Sequence, residues 1–320
     1  MKKMFLKLVL LCLWRLDGVF GAEEKIVFVG DSVTLNFGLT ELKDDDVIRW
    51  SFKDTLIAEI NKRADRFTVY DNVGDGRFRD RLKLDNQTGS LTITNITMKH
   101  DGDYHQGINY RSDYFRLFVT VSVKEGDSVT LNAEIKVYLI QWRFGDTLIA
   151  LIDKWVNRFT VYDDVLDGRF RDRLKLDNQT GSLTITNTTM KHAGEYELWI
   201  KHMRLDVSLA VIVSVTEGDS VTLNAEIKVY LIQWRFGDTL IAVIIKEDDI
   251  FTVYDDVLDG RFRDRLKLDN QTGSLTITNI TMKHDGVYEL WADTLSRRSY
   301  IRLIVYGELN ISFTCFIYYS

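Results

Sequence analysis

The run Asp75-Gly-Arg-Phe-Arg-Asp-Arg-Leu-Lys-Leu-Asp-Asn-Gln-Thr-Gly-Ser-Leu-Thr-Ile-Thr-Asn95 occurs three times without a change. It stands at Asp75–Asn95, Asp167–Asn187 and Asp259–Asn279, each copy 92 positions after the last. Within it Phe78, Leu82 and Leu84 precede a polar, Gly-containing turn at Asp85–Ser90, and Leu91 and Ile93 follow it. Apolar residues alternating on both sides of such a turn predict a β-hairpin with one buried face. A step near 90 residues is too long for a solenoid repeat and suits one small β domain. The expected fold class is therefore all-β, as three tandem β-sandwiches. The expected boundaries are 22–121, 122–213 and 214–306, with a 1–21 leader and a 307–320 tail.

Each copy opens on Gly-Asp-Ser-Val-Thr-Leu-Asn, at Gly30, Gly126 and Gly218. A strand bearing a tryptophan follows, as Ile48-Arg49-Trp50-Ser51-Phe52, Ile140-Gln141-Trp142-Arg143-Phe144 and Ile232-Gln233-Trp234-Arg235-Phe236. Alternation turns Ile, Trp and Phe inward and the residues between them to the opposite face. Two short strands come next, Asp-Thr-Leu-Ile-Ala and Phe-Thr-Val-Tyr, then the hairpin, then Met-Lys-His-x-Gly-x-Tyr at Met98, Met190 and Met282. Last strands are expected at Tyr114–Val121, Leu205–Val213 and Tyr300–Tyr306. From Gly126 to His192 the second and third copies differ at seven of 67 positions, mainly at Asp153–Arg158 against Ile245–Ile250, which reads as a surface loop. Proline is absent, where average usage would give roughly 16, so no Pro-rich hinge separates the copies.

The N-terminus carries Lys2, Lys3 and Lys7, an apolar run from Leu8 to Trp14 and a small-residue exit at Gly21-Ala22. That is the order of a secretory signal peptide, with cleavage expected after Gly21. Arg15 and Asp17 cut the apolar run short of a membrane span. The apolar end of the tail is also too short to span a bilayer. Asn-x-Ser/Thr sequons recur at paired positions, Asn86 and Asn95, Asn178 and Asn187, Asn270 and Asn279, with one more at Asn310. Behind a leader they predict glycosylated surface loops on an extracellular chain, secreted or on the outer side of the plasma membrane. The only cysteines are Cys12, in the leader, and Cys315, in the tail, so the three copies hold no disulfide. A net charge of −6 argues against nucleic acid as a partner.

The Gly-Asp-Ser-Val-Thr-Leu run with its strand tryptophan, and the Gly-x-Tyr that sits like a tyrosine corner, resemble an immunoglobulin variable-type domain. About nine strands with two short middle ones match the variable type better than the constant type. Among such domains, disulfide-free ones resemble the membrane-distal domains of the signalling lymphocytic activation molecule family and related T-cell adhesion receptors. The resemblance places the missing cysteine pairs at Phe37 and Gln106, Ala133 and Leu198, and Ala225 and Leu290. It also implies an acid four residues before the corner tyrosine, paired with Arg77, Arg169 or Arg261. Those positions hold His100, His192 and His284 instead.

No nucleophile elbow, phosphate-cradling glycine loop or His/Cys ligand spacing occurs, so no enzyme, cofactor, metal or small-molecule substrate is expected. The Asp163-Asp164…Asp167-Gly168 cluster lacks the ligand spacing of a calcium loop and reads as a solvated turn. What remains is a recognition surface. If Tyr196 and Leu198 point inward, Glu197 and Trp199 point outward, and so do Glu289 and Trp291. They share a face with Gln141, Arg143, Gln233 and Arg235. An outward tryptophan among charges has the composition of an interface hot spot. The first copy offers Arg49, Ser51, His105, Gly107 and Asn109 there, and in the resembling family the terminal domain binds. The expected partner is an immunoglobulin-superfamily cell-surface protein, a second copy of this chain included. A secreted decoy of such contacts and a glycan-binding module remain the alternatives.

Overall fold

The computed structural model describes residues 22–36, 38–133, 138–200, 203–225, 230–292 and 297–307. The leader, Phe37, Asn310, Cys12 and Cys315 lie outside the described residues. The chain forms two compact units, Met1–Val121 and Ser122–Ser320. Among the described residues no helix is long and apolar enough to cross a membrane.

The first unit holds strands β1 (Glu23–Phe28), β2 (Val33–Leu35), β3 (Val47–Phe52), β4 (Thr55–Asn61), β5 (Arg66–Val69), β6 (Leu82–Leu84), β7 (Leu91–Ile93), β8 (Gly102–Ile108) and β9 (Arg111–Lys124). A front sheet runs β1-β9-β8-β3-β4-β5 and a back sheet runs β2-β7-β6. The repeated hairpin is β6–β7, paired antiparallel with Leu84 opposite Leu91. Its apolar face closes on the front sheet through Trp50, Phe52, Phe78 and Phe115, all buried. Phe52 meets Phe78 edge-on at 5.4 Å.

The hairpin turn has a second role. Gly89, in the left-handed region at φ +73°, lies so close to β3 that a Cβ there would stand 2.2 Å from Ile48 Cδ1. This approach lets the Trp50 indole donate to the Gly89 carbonyl at 2.9 Å. The same bond recurs from Trp142 to Gly181 and from Trp234 to Gly273, both at 2.8 Å. It ties one sheet to the other at the tryptophan's level. Ala133, Leu198, Ala225, Leu290 and Gln106, where the resemblance places cysteines, are all buried. A buried tryptophan is worth about 3–5 kcal/mol against alanine, similar to the ~2–5 kcal/mol of a native disulfide in a small domain.

The second unit repeats this plan twice. Its first sandwich has β10 (Val129–Leu131), β11 (Leu139–Phe144), β12 (Thr147–Asp153), β13 (Arg158–Val161), β14 (Leu174–Leu176), β15 (Leu183–Ile185), β16 (Gly194–Ile200) and β17 (Met203–Thr216). The next has β18 (Val221–Leu223), β19 (Leu231–Phe236), β20 (Thr239–Ile245), β21 (Ile250–Val253), β22 (Leu266–Leu268), β23 (Leu275–Ile277), β24 (Gly286–Ala292) and β25 (Arg297–Tyr306). The long strand β17 serves both. Its first half pairs antiparallel with β16 and its second half, Ala210–Thr216, pairs parallel with β25. The two front sheets of this unit are thereby one sheet. In the first unit β1 pairs parallel with β9 in the same manner, as the edge strand of its single front sheet. The topology is that of tandem immunoglobulin-like β-sandwiches.

The last strands begin earlier than their hydrophobic pattern indicates, at Arg111, Met203 and Arg297 rather than Tyr114, Leu205 and Tyr300. Their first residues are fixed by pairing across the sheet, as Arg111 opposite Ile108 and Met203 opposite Ile200. The corner histidines show what replaces the missing acid. His100 is buried and accepts the Thr97 amide N–H at Nδ1, 2.9 Å. That fixes the proton on Nε2, which donates to the Arg77 carbonyl at 2.8 Å. The Tyr104 hydroxyl in turn donates to the His100 carbonyl at 2.9 Å. His192 and His284 make the same set. The arginine's backbone, not its guanidinium, is the histidine's partner, so a neutral ring stands where the resemblance implies an ion pair. Burial holds all three histidines below the ordinary imidazole pKa.

Candidate functional site on the front sheet

Strand alternation and antiparallel register build the front face. In the first sandwich of the second unit, Gln141 lies opposite Trp199 and Arg143 opposite Glu197. On the other side Trp199 faces Arg204 and Glu197 faces Asp206. Trp199 is 41% exposed. Its indole N–H donates to Glu197 Oε2 at 2.7 Å. The Arg143 guanidinium lies 5.6 Å from the ring centroid, a cation–π distance. Arg143 also donates to the Asp146 carbonyl at 2.9 Å, while its Nε is buried without a hydrogen-bond partner. Glu197 is further paired with Arg204 at 3.4 Å, and Arg204 with Asp206 at 2.7 Å. The tryptophan is thus a wet aromatic plate clamped in one orientation by an acid and a base.

The third sandwich repeats the set in a different setting. Gln233 lies opposite Trp291 and Arg235 opposite Glu289. Trp291 is half-buried, unlike its exposed counterpart. Glu289 pairs with Arg298 at 3.3 Å. Where Asp206 faces Glu197, the buried Tyr300 faces Glu289.

In the first unit Arg49 lies opposite Gly107 and Ser51 opposite His105. Arg49 pairs with Glu59 at 3.0 Å, and Arg66 reaches the same carboxylate at 4.0 Å. His105 stacks on Tyr114 at 4.8 Å, and Tyr114 and Tyr110 are exposed. The structure thus gathers each domain's sequence-predicted residues on one face. It adds Arg204, Asp206, Arg298, Glu59 and Tyr114. The signal for Arg204 and Asp206 was the same alternation, continued two residues further back along the last strand.

The sequons flank the back sheet. Asn86, Asn178 and Asn270 are exposed on the hairpin turn, and Asn95, Asn187 and Asn279 are exposed after its second strand. The acidic cluster is locally satisfied: Asp163 accepts the Asp172 amide and Asp164 pairs with Arg171.

No protein-family model matches the chain, and no curated protein matches it. Solved structures do. Extracellular domains 3–5 of Drosophila OTK are 16% identical over 88% of this chain and 95% of that one, with a TM-score of 0.25. The first Ig-like domain of human CD48 antigen is 21% identical over 32% of this chain and 87% of that one, with a TM-score of 0.26. The CD2-binding domain of CD58 is 14% identical over 59% of this chain and 96% of that one, with a TM-score of 0.27. The likeness is one of fold. The assignment to immunoglobulin-like sandwiches rests on the strand order and register described above.

Proposed function

We propose that this chain is an extracellular, non-enzymatic adhesion or recognition protein. It binds another immunoglobulin-like domain through the front sheet of its own variable-type domains. The observation that carries the reading is Trp199: a large aromatic left in water, yet fixed by Glu197 and Arg143. A preorganised aromatic anchor loses little side-chain freedom on binding, and its charged rim sets specificity and encounter rate. The exposed sequons lie around the other sheet, which leaves this face bare of glycan. Repetition of the face in tandem adds avidity to a modest single-site affinity. On this reading the family is that of variable-type receptors resembling the signalling lymphocytic activation molecule group.

The test is adhesion of beads or cells carrying the protein. Replacing Arg49, Trp199 and Trp291 with alanine is expected to abolish adhesion. A hot-spot tryptophan alone accounts for about 2 kcal/mol or more. Unchanged adhesion by the folded triple variant removes the proposed face.

A further inference from the structure

The second and third sandwiches share one frame and differ at one place. Of the seven differences between Gly126–His192 and its repeat, five fall in the turn after β12, at Asp153 and from Trp155 to Arg158. The backbone of the turn is kept. Lys154 donates its amide to the Tyr138 carbonyl at 2.8 Å, and Lys246 does the same to Tyr230 at 2.8 Å. The side chains on it are of opposite chemistry.

On the β12–β13 turn, Trp155 is 77% exposed and Val156 68%. The Trp155 ring stacks on Tyr138 at 4.9 Å. Lys154 and Arg158 stand on either side of Trp155 in the turn; Arg158 donates to the Tyr162 hydroxyl at 2.8 Å, and Asp153 accepts the Trp155 amide at 3.0 Å. On the β20–β21 turn the corresponding residues are Glu247, Asp248 and Asp249, all exposed. Tyr230, the counterpart of Tyr138, is 60% exposed and has an acid where the other turn has Trp155.

We propose that the β12–β13 turn of one molecule docks on the β20–β21 turn of a second copy of this chain. Trp155 would lie against the exposed Tyr230, with Lys154 and Arg158 facing Glu247 and Asp248. Lys154 and Arg158 outweigh Asp153 on one turn, and Glu247, Asp248 and Asp249 outweigh Lys246 on the other, so the net signs favour the unlike pair. Charge alone would also admit the first unit's β4–β5 turn, which carries Lys62, Arg63 and Arg66. That turn presents no exposed aromatic ring, so the aromatic contact decides between them. The contact is heterologous: it closes as a two-fold pair if both unlike contacts form together, and otherwise extends as an array. It uses none of the front-face residues and is independent of the adhesion reading.

The experiment is sedimentation velocity on the full chain over a concentration series and at rising salt. Self-association that weakens with salt is expected. Trp155→Ala should weaken it about tenfold or more, and so should E247K/D248K. Trp155 is exposed, so its replacement leaves the fold intact. Adding K154E/R158E to E247K/D248K should restore association, because the swapped signs again match. Trp199→Ala should leave it unchanged. A chain that stays monomeric throughout overturns the proposal. So does association indifferent to Trp155→Ala, failure of the swap to restore it, or loss on K62E/R63E instead. Loss of adhesion to other cells by Trp155→Ala, without self-association, would assign the turn to a different partner and also overturn it.

Discussion

Mild acid should loosen all three sandwiches at once, through the corner histidines. Each accepts an amide N–H at Nδ1, at 2.9 Å in every copy. Protonating Nδ1 sets N–H against N–H and strands a buried donor, which costs about 1–3 kcal/mol. Because burial lowers the folded pKa, the unfolded chain takes up the proton first. The histidines' contribution is therefore complete above the unfolded value of about 6.5. It is lost as the pH falls from there toward the folded pKa. At about pH 5.5 the loss is at most the linkage limit of about 1.4 kcal/mol per sandwich. For a domain of this size that is a fall in Tm of roughly 4–8 °C per kcal/mol. Carboxylates titrate lower: Asp85, Asp177 and Asp269 are depressed by the backbone amides they accept, first from Thr88, Thr180 and Thr272. The interval from about pH 7.5 to 5.5 thus isolates the histidines. The assay is thermal unfolding across that interval for the native chain and for H100N/H192N/H284N. Asparagine keeps an acceptor for the threonine amide but falls short of the arginine carbonyl. The variant should be less stable at neutral pH and insensitive to acid. A native chain with a flat Tm, or a variant with the same acid loss, refutes the account.

Four further outcomes follow, two from packing, one from backbone conformation and one from the sequons. Gly181→Ala would place a Cβ 2.2 Å from Ile140 Cδ1 at φ +79°, so it should cost about 2 kcal/mol or more by denaturant unfolding. Gly126→Ala, at φ +88° in open space, should cost about 1 kcal/mol from the backbone alone. Trp142→Phe should cost about 2–4 kcal/mol, since it removes the indole donor to the buried Gly181 carbonyl and leaves a cavity. Secreted protein treated with an N-glycosidase should lose mass in steps that disappear as Asn86, Asn178 and Asn270 are replaced with Gln.

Much of this frame can be read without coordinates because β-strand alternation is local. Ile48, Trp50 and Phe52 are buried and Arg49 exposed, as a period of two requires. The exact threefold repeat then extends one domain's reading to the others. What local pattern does not contain is the cross-strand partner. Arg204 and Arg298 precede the apolar part of their strands, and only register sets them against Trp199 and Trp291. The Glu59 carboxylate belongs to β4, and its pairing with Arg49 follows from their opposition across the hairpin. The histidine corner was legible as a structural position. Its bonds were not, because Arg77 contributes a carbonyl 23 residues away in sequence. The turn at Asp153–Arg158 stood out as a variable surface loop, but the stack of Trp155 on Tyr138 appears only when β11 and β12 are placed side by side.

The duplicated quartet gives the sharpest test of whether composition or setting makes an interface. Gln141, Arg143, Glu197 and Trp199 are identical in type and register to Gln233, Arg235, Glu289 and Trp291. Their neighbours on the last strand differ. Beside Glu197 stands the exposed Asp206, and beside Glu289 stands the buried Tyr300. Tyr300 pairs with Ala210 of β17, and the adjoining Ser299 hydroxyl donates to the Ala193 carbonyl at 3.3 Å. The junction of the two sandwiches therefore closes over one edge of the third domain's face, while Trp199 stays exposed. Apolar area that is already covered cannot be removed from water a second time on binding. Trp199→Ala should thus weaken front-face binding by about tenfold or more, and Trp291→Ala by clearly less. Equal losses would mean that both faces open alike when a partner binds, and the difference in burial would then carry no functional weight.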